Sequence, residues 1–355
     1  MASAIKNLSL ALMEQLILVT GGTGLLGSHL LVQLAREGKS VKAFYRNKSA
    51  IADVGKLFEF YEIKDKWDLI YWVQADISNI YSMLDHVQGI SEIYHCAALV
   101  SFNPADAEKL FEANVVGTRN MVNLALEIGI NKMVYVSSTA AIGRSGLNGV
   151  ITESSKWVDS PENTFYARSK NMAEQEVWRG VVEGLKAAIV NPCVIIGPGS
   201  LEKSTGAMFA QVLNGLKFYT KGANAFVDVR DVAGIMVKLM HSDISGQRYL
   251  TIGENLAFKD IFSIIAKAMD KAAPDKYASE MLTGIAWRLE KLRSLIMRTP
   301  PRITIETARA SHRVSRYSNQ KITDALNIGF RPVESAVSNT VAFMDFNGQL
   351  VKSRF

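Results

Sequence analysis

Through the first two hundred residues, apolar runs of strand length alternate with segments of helical period. In order they are "LILVT", a helix from about Gly24 to Arg36, "SVKAFYR", "IYWVQAD", "EIYHCAA", and a helix around "EANVVGTRNMVNLALEIG". Then come "KMVYVSS", a helix carrying "TFYARSK", and "KAAIVNPCVII". Runs this free of polar residues fit strands buried on both faces, and strand–helix alternation fits crossovers that leave those strands parallel. The expected class is α/β, a doubly wound parallel sheet with helices on both faces. Beyond "GPGS" at 197–200 the pattern turns irregular and helix-rich.

At 355 residues, 48% hydrophobic and 21% charged, the chain can bury one large core plus a smaller second lobe. Cys96 and Cys193 both sit in apolar strand-like runs. They read as buried free thiols of a reducing compartment rather than a disulfide framework or a metal site. No metal site is expected. No run is long and apolar enough to span a membrane, and the opening "MASAIKNLSLAL" lacks the apolar core and cleavage site of a signal peptide. The expected location is cytoplasmic.

"VTGGTGLLGSHL" follows the first strand directly, with Gly21, Gly24 and Gly27 at a G-x-x-G-x-x-G spacing and the last two opening a helix. Glycine is needed where the backbone turns sharply and where a pyrophosphate must reach main-chain N–H groups. The helix N-terminus adds free donors and a partial positive charge. In this context the motif predicts a Rossmann-type dinucleotide site formed by Gly21, Thr23, Gly24, Leu25, Leu26 and Gly27. The end of the second strand, which meets the adenosine ribose in such folds, reads "FYRNK", with no acid until Asp53. An arginine there suits a 2′-phosphate, so Arg46 favours NADP(H) over NAD(H). The expected organisation is an extension over 1–13, a dinucleotide-binding domain over 14–200 that receives a strand and helix from about 225–250, and a smaller, mostly helical substrate lobe from 201–224 and 251–355.

Tyr166 and Lys170 in "TFYARSK" stand four positions apart and share one helix face. Alone, such a pair is most often a solvated face. Together with "VYVSSTAAIG", "NVVGT", "NPCVIIGPG", "FVDVRDVA" and the glycine motif, however, it resembles the extended short-chain dehydrogenases/reductases. The chain looks most like the dihydroflavonol-4-reductase and 3β-hydroxysteroid dehydrogenase relatives, the NAD-dependent epimerase/dehydratase group. The strong motifs span roughly 14–260, with a looser echo at "RYSNQKITDALNIGFRP".

That resemblance implies catalytic roles. Tyr166 would be the general acid and base, and a nearby Lys170 ammonium would draw the phenol below its ordinary value of about 10. Lys170 would also meet the nicotinamide ribose. Ser138 would orient the substrate oxygen, with Thr139 its nearest rival. Asn114 would hold a water beside the lysine, or else serve as a cap or core amide. Asp76 and Ile77 would meet adenine, Ala97 and Ala98 would leave room for the nucleotide, Ser137 would line it, and Pro192 and Ile195 would lie beside the nicotinamide. Asp228 and Asp231 read as turn and helix-cap residues.

Sugar-nucleotide 4,6-dehydratases of similar sequence carry an Asp-Glu pair after the Ser/Thr, where this chain has Thr139 and Ala140. Dehydration is therefore disfavoured. The run "AMFAQVLNGLKFY" offers Met208, Phe209 and Leu213, with Leu216 and Phe218, as an apolar substrate wall. A reductase or dehydrogenase acting on an apolar carbonyl leads, a sugar-nucleotide epimerase with tightly bound NAD is the alternative, and a non-catalytic NADP-binding protein ranks last. A homodimer is a further expectation from the resemblance.

The net charge is +6, and the stretch 281–321 holds nine Lys or Arg against two acids, which accounts for the whole excess. Nothing in it resembles a nucleic-acid-binding module. "GIAWRLEKLRSLIMR" reads as an amphipathic helix stopped by Pro300 and Pro301. It is expected to pack its apolar face on the substrate lobe. The competing expectation is a peripheral membrane contact through 282–298 with Trp287 at the boundary.

Overall fold

The computed structural model describes residues 16–144, 149–202, 205–297 and 304–350. The expected extension over 1–13, and Pro300 and Pro301, lie outside the described residues.

Seven strands form the main sheet: β1 (Leu16–Thr20), β2 (Val41–Tyr45), β3 (Ile70–Gln74), β4 (Ile90–His95), β5 (Lys132–Val136), β6 (Ala187–Pro192) and β7 (Gln247–Thr251). Their order is β7-β6-β5-β4-β1-β2-β3 and every pairing is parallel. The reversal beside β1 creates a crevice at the carboxyl ends of β1 and β4, where ligands of open α/β sheets bind. β1 shows why its sequence is apolar throughout. Ile17 and Val19 point into one core with the helices Leu25–Arg36 and Val229–Met240, while Leu18 points into the opposite core with the helices Gly117–Ile128 and Phe165–Val182.

A three-stranded sheet from Val194–Ile196, Ala223–Asp228 and Glu254–Ala257 was not foreseen. Its strands are three to six residues long, too short to impose a period on the sequence. Around it a third core gathers Ile196, Phe226, Ile261 and Ile265 with Val333 and Val337 of the last helix, Val333–Phe346. Phe343 of the same helix joins the core of the main sheet, its ring 5.2 Å from Phe60. Asp228 caps the helix Val229–Met240, accepting a hydrogen bond from the Arg230 N–H, and Asp231 pairs with Arg331.

The helix Glu280–Met297 corrects the sequence reading. Its apolar residues Ile285, Leu289, Leu292 and Ile296 are all exposed, and the half-buried side carries Thr283, Trp287, Glu290 and Ser294. That side packs against the short helix Ile305–Ala310, and Thr283 shares a 2.9 Å hydrogen bond with His312. That side, and not the apolar stripe, is the one that faces the protein. Among the described residues no helix is long and apolar enough to cross a membrane.

Burial also sets an acid limit. Desolvation lowers His29 to about 4 and His95 to about 3, both from an ordinary 6.5. The unfolded chain takes up these protons near 6.5 and the folded chain does not. Stability is thus full above that value and lost as pH falls toward 4, by up to about 1.4 kcal/mol per pH unit for each histidine. Urea midpoints measured between pH 7 and 5 should fall, and His29→Leu should make that slope shallower. A pH-independent midpoint would contradict this assignment.

Candidate active site

The glycine turn follows β1 into the helix Leu25–Arg36. Gly21 has φ +68°, and a Cβ on it would lie 2.7 Å from the Ala97 backbone. A Cβ on Gly27 would lie 2.1 Å from the Gly21 carbonyl oxygen. The two glycines let the turn, the helix and the strand end touch without side chains between them. No side chain caps this helix and its first turn holds no acid, so its N–H donors and dipole are available to an anion. These features fit a dinucleotide pyrophosphate. Thr23 and Leu25 are half-buried and Gly24 is exposed. Leu26 enters the core of the main sheet, so its backbone alone can contribute.

The other expected cofactor residues line the same edge. Arg46 stands exposed just past β2, with no ion pair among the described residues. Asp76 sits past β3 and accepts hydrogen bonds from the Ser78 N–H and hydroxyl at 2.9 and 2.7 Å. Ile77 is buried and packs over Gly117. Ala97 and Ala98 follow β4, Pro192 closes β6, and Ile195 is half-buried beyond it.

On the helix Phe165–Val182, Thr164 caps the N-terminus through the Ala167 N–H. Tyr166 and Lys170 lie one turn apart on the face toward β5. The Tyr166 phenol faces Ser138, whose hydroxyl caps the short turn Thr139–Ala141 after β5. Burial pushes the phenol above its ordinary value, opposed by Ser138. This reverses the expectation that Lys170 draws it down. The lysine is turned away: its Nζ donates to the Tyr135 hydroxyl at 3.0 Å and to the Val136 carbonyl at 2.7 Å. Burial lowers Lys170 itself from 10.5 to about 7, with the Glu174 carboxylate opposing. With its ammonium disfavoured by burial and held by two other partners, Lys170 does not draw the phenol down.

Asn114 lies in a π-helical stretch, Phe111–Val116, within an otherwise α-helical run. Such bulges re-aim side chains. Its side chain accepts from the Leu99 N–H at 2.7 Å and donates to the Leu99 carbonyl and the Ser169 hydroxyl at 3.0 and 2.9 Å. Both donors are used within the protein, so it clamps the loop after β4 to the Tyr166 helix, as a core amide would.

Several expected residues are placed elsewhere. Ser137 gives its hydroxyl to Glu174 at 2.6 Å and is buried. Phe209 is wholly buried in the third core, while Met208 and Leu213 are half-buried against it. Helical spacing turns Phe209 and Val212 inward together, so the run is core as much as wall. Thr139 meets the Tyr317 hydroxyl.

Four residues escaped the sequence reading. Phe102, in the loop after β4, sets its ring 5.7 Å from Tyr166, edge to face. Tyr135 supports Lys170 from behind and stacks on His95. Tyr317 returns from the C-terminal region to Thr139. Glu174, buried one turn beyond Lys170, accepts from Ser137, from Asn191 at 2.7 Å and from Arg248 at 2.9 Å. Only Glu174 left a signal, the continued spacing Tyr166, Lys170, Glu174 on one helix face. Cys96 and Cys193 are both free, and burial pushes the Cys96 thiol up to about 12.

A family model described as NAD dependent epimerase/dehydratase family matches residues 17–253. "Sterol demethylase protein B" of Methylococcus capsulatus is 29% identical, covering 94% of this chain and 99% of that protein. "Putative dihydroflavonol 4-reductase" of Synechocystis is 29% identical, covering 95% of this chain and 96% of that protein. Among solved structures, that of gox2253 superposes with a TM-score of 0.77 at 27% identity, covering 94% of this chain and 99% of that one.

Proposed function

From a chain that belongs to the NAD dependent epimerase/dehydratase family, we infer an NADP(H)-dependent oxidoreductase that interconverts a carbonyl and a secondary alcohol on a fairly apolar small molecule. The observation that carries this reading is the Tyr166 phenol against the Ser138 hydroxyl, with Lys170 one turn away, at the same sheet edge as the glycine turn.

When bound, the nicotinamide supplies or accepts the hydride at the substrate carbon. Tyr166 donates its proton to the carbonyl oxygen in reduction and takes it from the hydroxyl in oxidation. Ser138 holds that oxygen. A phenol raised above its ordinary value keeps the proton that reduction requires. The helix N-terminus after Gly24 would hold the pyrophosphate, Asp76 the adenine and Arg46 the 2′-phosphate. Phe102 beside Tyr166 supports an apolar substrate, and the relative named for a sterol and the one named for a reductase are in keeping with it.

The cofactor reading is tested by Arg46→Ala. Losing a charge-assisted contact to the 2′-phosphate should raise KM for NADPH about ten- to a hundred-fold and leave NADH within about two-fold. Equal effects on both cofactors would remove Arg46 from that role. The reaction itself is tested by releasing the nucleotide from fresh protein. NADP(H) that exchanges on dialysis supports the reductase, whereas tightly held NAD that survives it points to an epimerase that recycles its own hydride.

A further inference from the structure

His29, in the second turn of the helix Leu25–Arg36, is 3% exposed, and one of its ring nitrogens has no partner. Its Nδ1 lies 2.8 Å from the Leu25 carbonyl oxygen, which can only accept, so Nδ1 carries the proton and Nε2 presents a lone pair. That Nε2 is buried without a hydrogen bond. An unsatisfied acceptor so placed is costly and calls for a donor from outside the chain. His29 lines a cavity of about 70 Å³ together with Arg36, Tyr61, Arg230 and Arg331. None of these residues belongs to the candidate active site.

The rest of the lining is rich in donors. Arg230 pairs with Asp228 through Nε and Nη2, and Arg331 with Asp231 through Nη1. Both charges are thus balanced within the protein, while Arg230 Nη1 and Arg331 Nη2 make no hydrogen bond among the described residues. Arg36 has no ion pair among the described residues: its guanidinium lies 5.1 Å over the Tyr61 ring and donates to the Tyr61 carbonyl at 3.3 Å. The Tyr61 hydroxyl accepts from Asn339 at 2.8 Å and keeps its own proton to give. The cavity therefore carries the uncompensated charge of Arg36, free N–H groups on three guanidiniums and the single acceptor of His29.

We propose that this cavity binds a phosphate group that still carries a proton, free or as a monoester, with its anionic oxygens on the guanidiniums and its P–OH donating to His29 Nε2. Four oxygens suit three guanidiniums and one histidine, and the planar fork of arginine matches phosphate oxygens. Sulfate has the same shape but no proton to give, so the Nε2 lone pair would face an oxyanion. Burial holds the imidazole at about 4, so near neutral pH it accepts. The proposal does not depend on the reductase reading, because binding is read without turnover.

The test is calorimetric titration of the full chain with inorganic phosphate, methyl phosphate and sulfate at about pH 6, where a phosphomonoester still keeps part of its second proton. Phosphate should bind, and sulfate should bind about ten-fold or more weakly, because it leaves the buried acceptor without a donor. Methyl phosphate that binds as well as phosphate supports a monoester as the occupant, and methyl phosphate that is excluded supports the free ion. Arg36→Gln changes an exposed residue and should weaken phosphate about ten-fold or more. His29→Asn can keep the bond to the Leu25 carbonyl while removing Nε2, and should bring phosphate down to the affinity of sulfate. Saturating NADPH should leave phosphate binding unchanged, because the cofactor residues lie elsewhere. Phosphate that fails to bind, sulfate that binds equally well, or either variant binding phosphate like the wild type overturns the proposal. So does phosphate displaced by NADPH, which would assign the anion to the glycine turn.

Discussion

Tyr166→Phe should lower kcat by about 10²–10⁴-fold, the usual share of a positioned proton donor, while the dissociation constant for NADPH stays within about three-fold. The ring is kept, so its edge contact with Phe102 persists and the fold should not change. Only the hydroxyl that meets Ser138 is lost. The wild-type pH dependence gives an independent reading of the same group. Burial raises the phenol, so oxidation, which needs the phenolate, should gain rate with rising pH further into the alkaline range than reduction does. Turnover unchanged in the phenylalanine variant would place the acid elsewhere.

Glu174→Gln should have the largest effect outside the reacting atoms. The carboxylate is buried and accepts hydrogen bonds from Ser137, Asn191 and Arg248. Removing its charge leaves the Arg248 guanidinium without its ionic partner. Breaking one side of a buried pair costs about 3–5 kcal/mol, and no more than the lower end of that range is expected because Arg248 is itself only partly buried. Urea denaturation measures it. A second effect separates an electrostatic role from a purely structural one. Glu174 is the first of two groups, with Cys96, that raise Lys170 against desolvation, so in the variant the lysine-dependent limb of the kcat profile should move to lower pH. If stability falls while the profile overlays the wild type, Glu174 is a structural anchor with no hold on Lys170.

The parallel sheet was legible because its central strands β1, β5 and β6 are short, largely apolar runs whose composition reports burial on both faces. The glycine turn was legible for a different reason: a positive φ at Gly21 and a close backbone approach at Gly27 are demands that almost no other residue meets. The spacing of Tyr166 and Lys170 predicted a shared helix face because that relation is internal to the helix. These features depend on neighbours within a few positions along the chain.

What the tertiary structure decided lies between distant segments. Glu174 meets an arginine 74 positions away, and Asn114 joins Leu99 to Ser169 across 15 and 55 positions. No local pattern announces either pairing. The direction in which Lys170 points was likewise set by β5, through Tyr135 and Val136, and that contact removed the expected pull on Tyr166. Phe209 and Leu289 sit in equally apolar helical runs, yet one is sealed in a core and the other faces outward. Sequence alone determined that each belongs to an apolar stripe. Which stripe found a partner was decided only when the helices Phe258–Ala268 and Val333–Phe346 packed around the first, while the second helix turned its other side, with Thr283, toward the helix Ile305–Ala310.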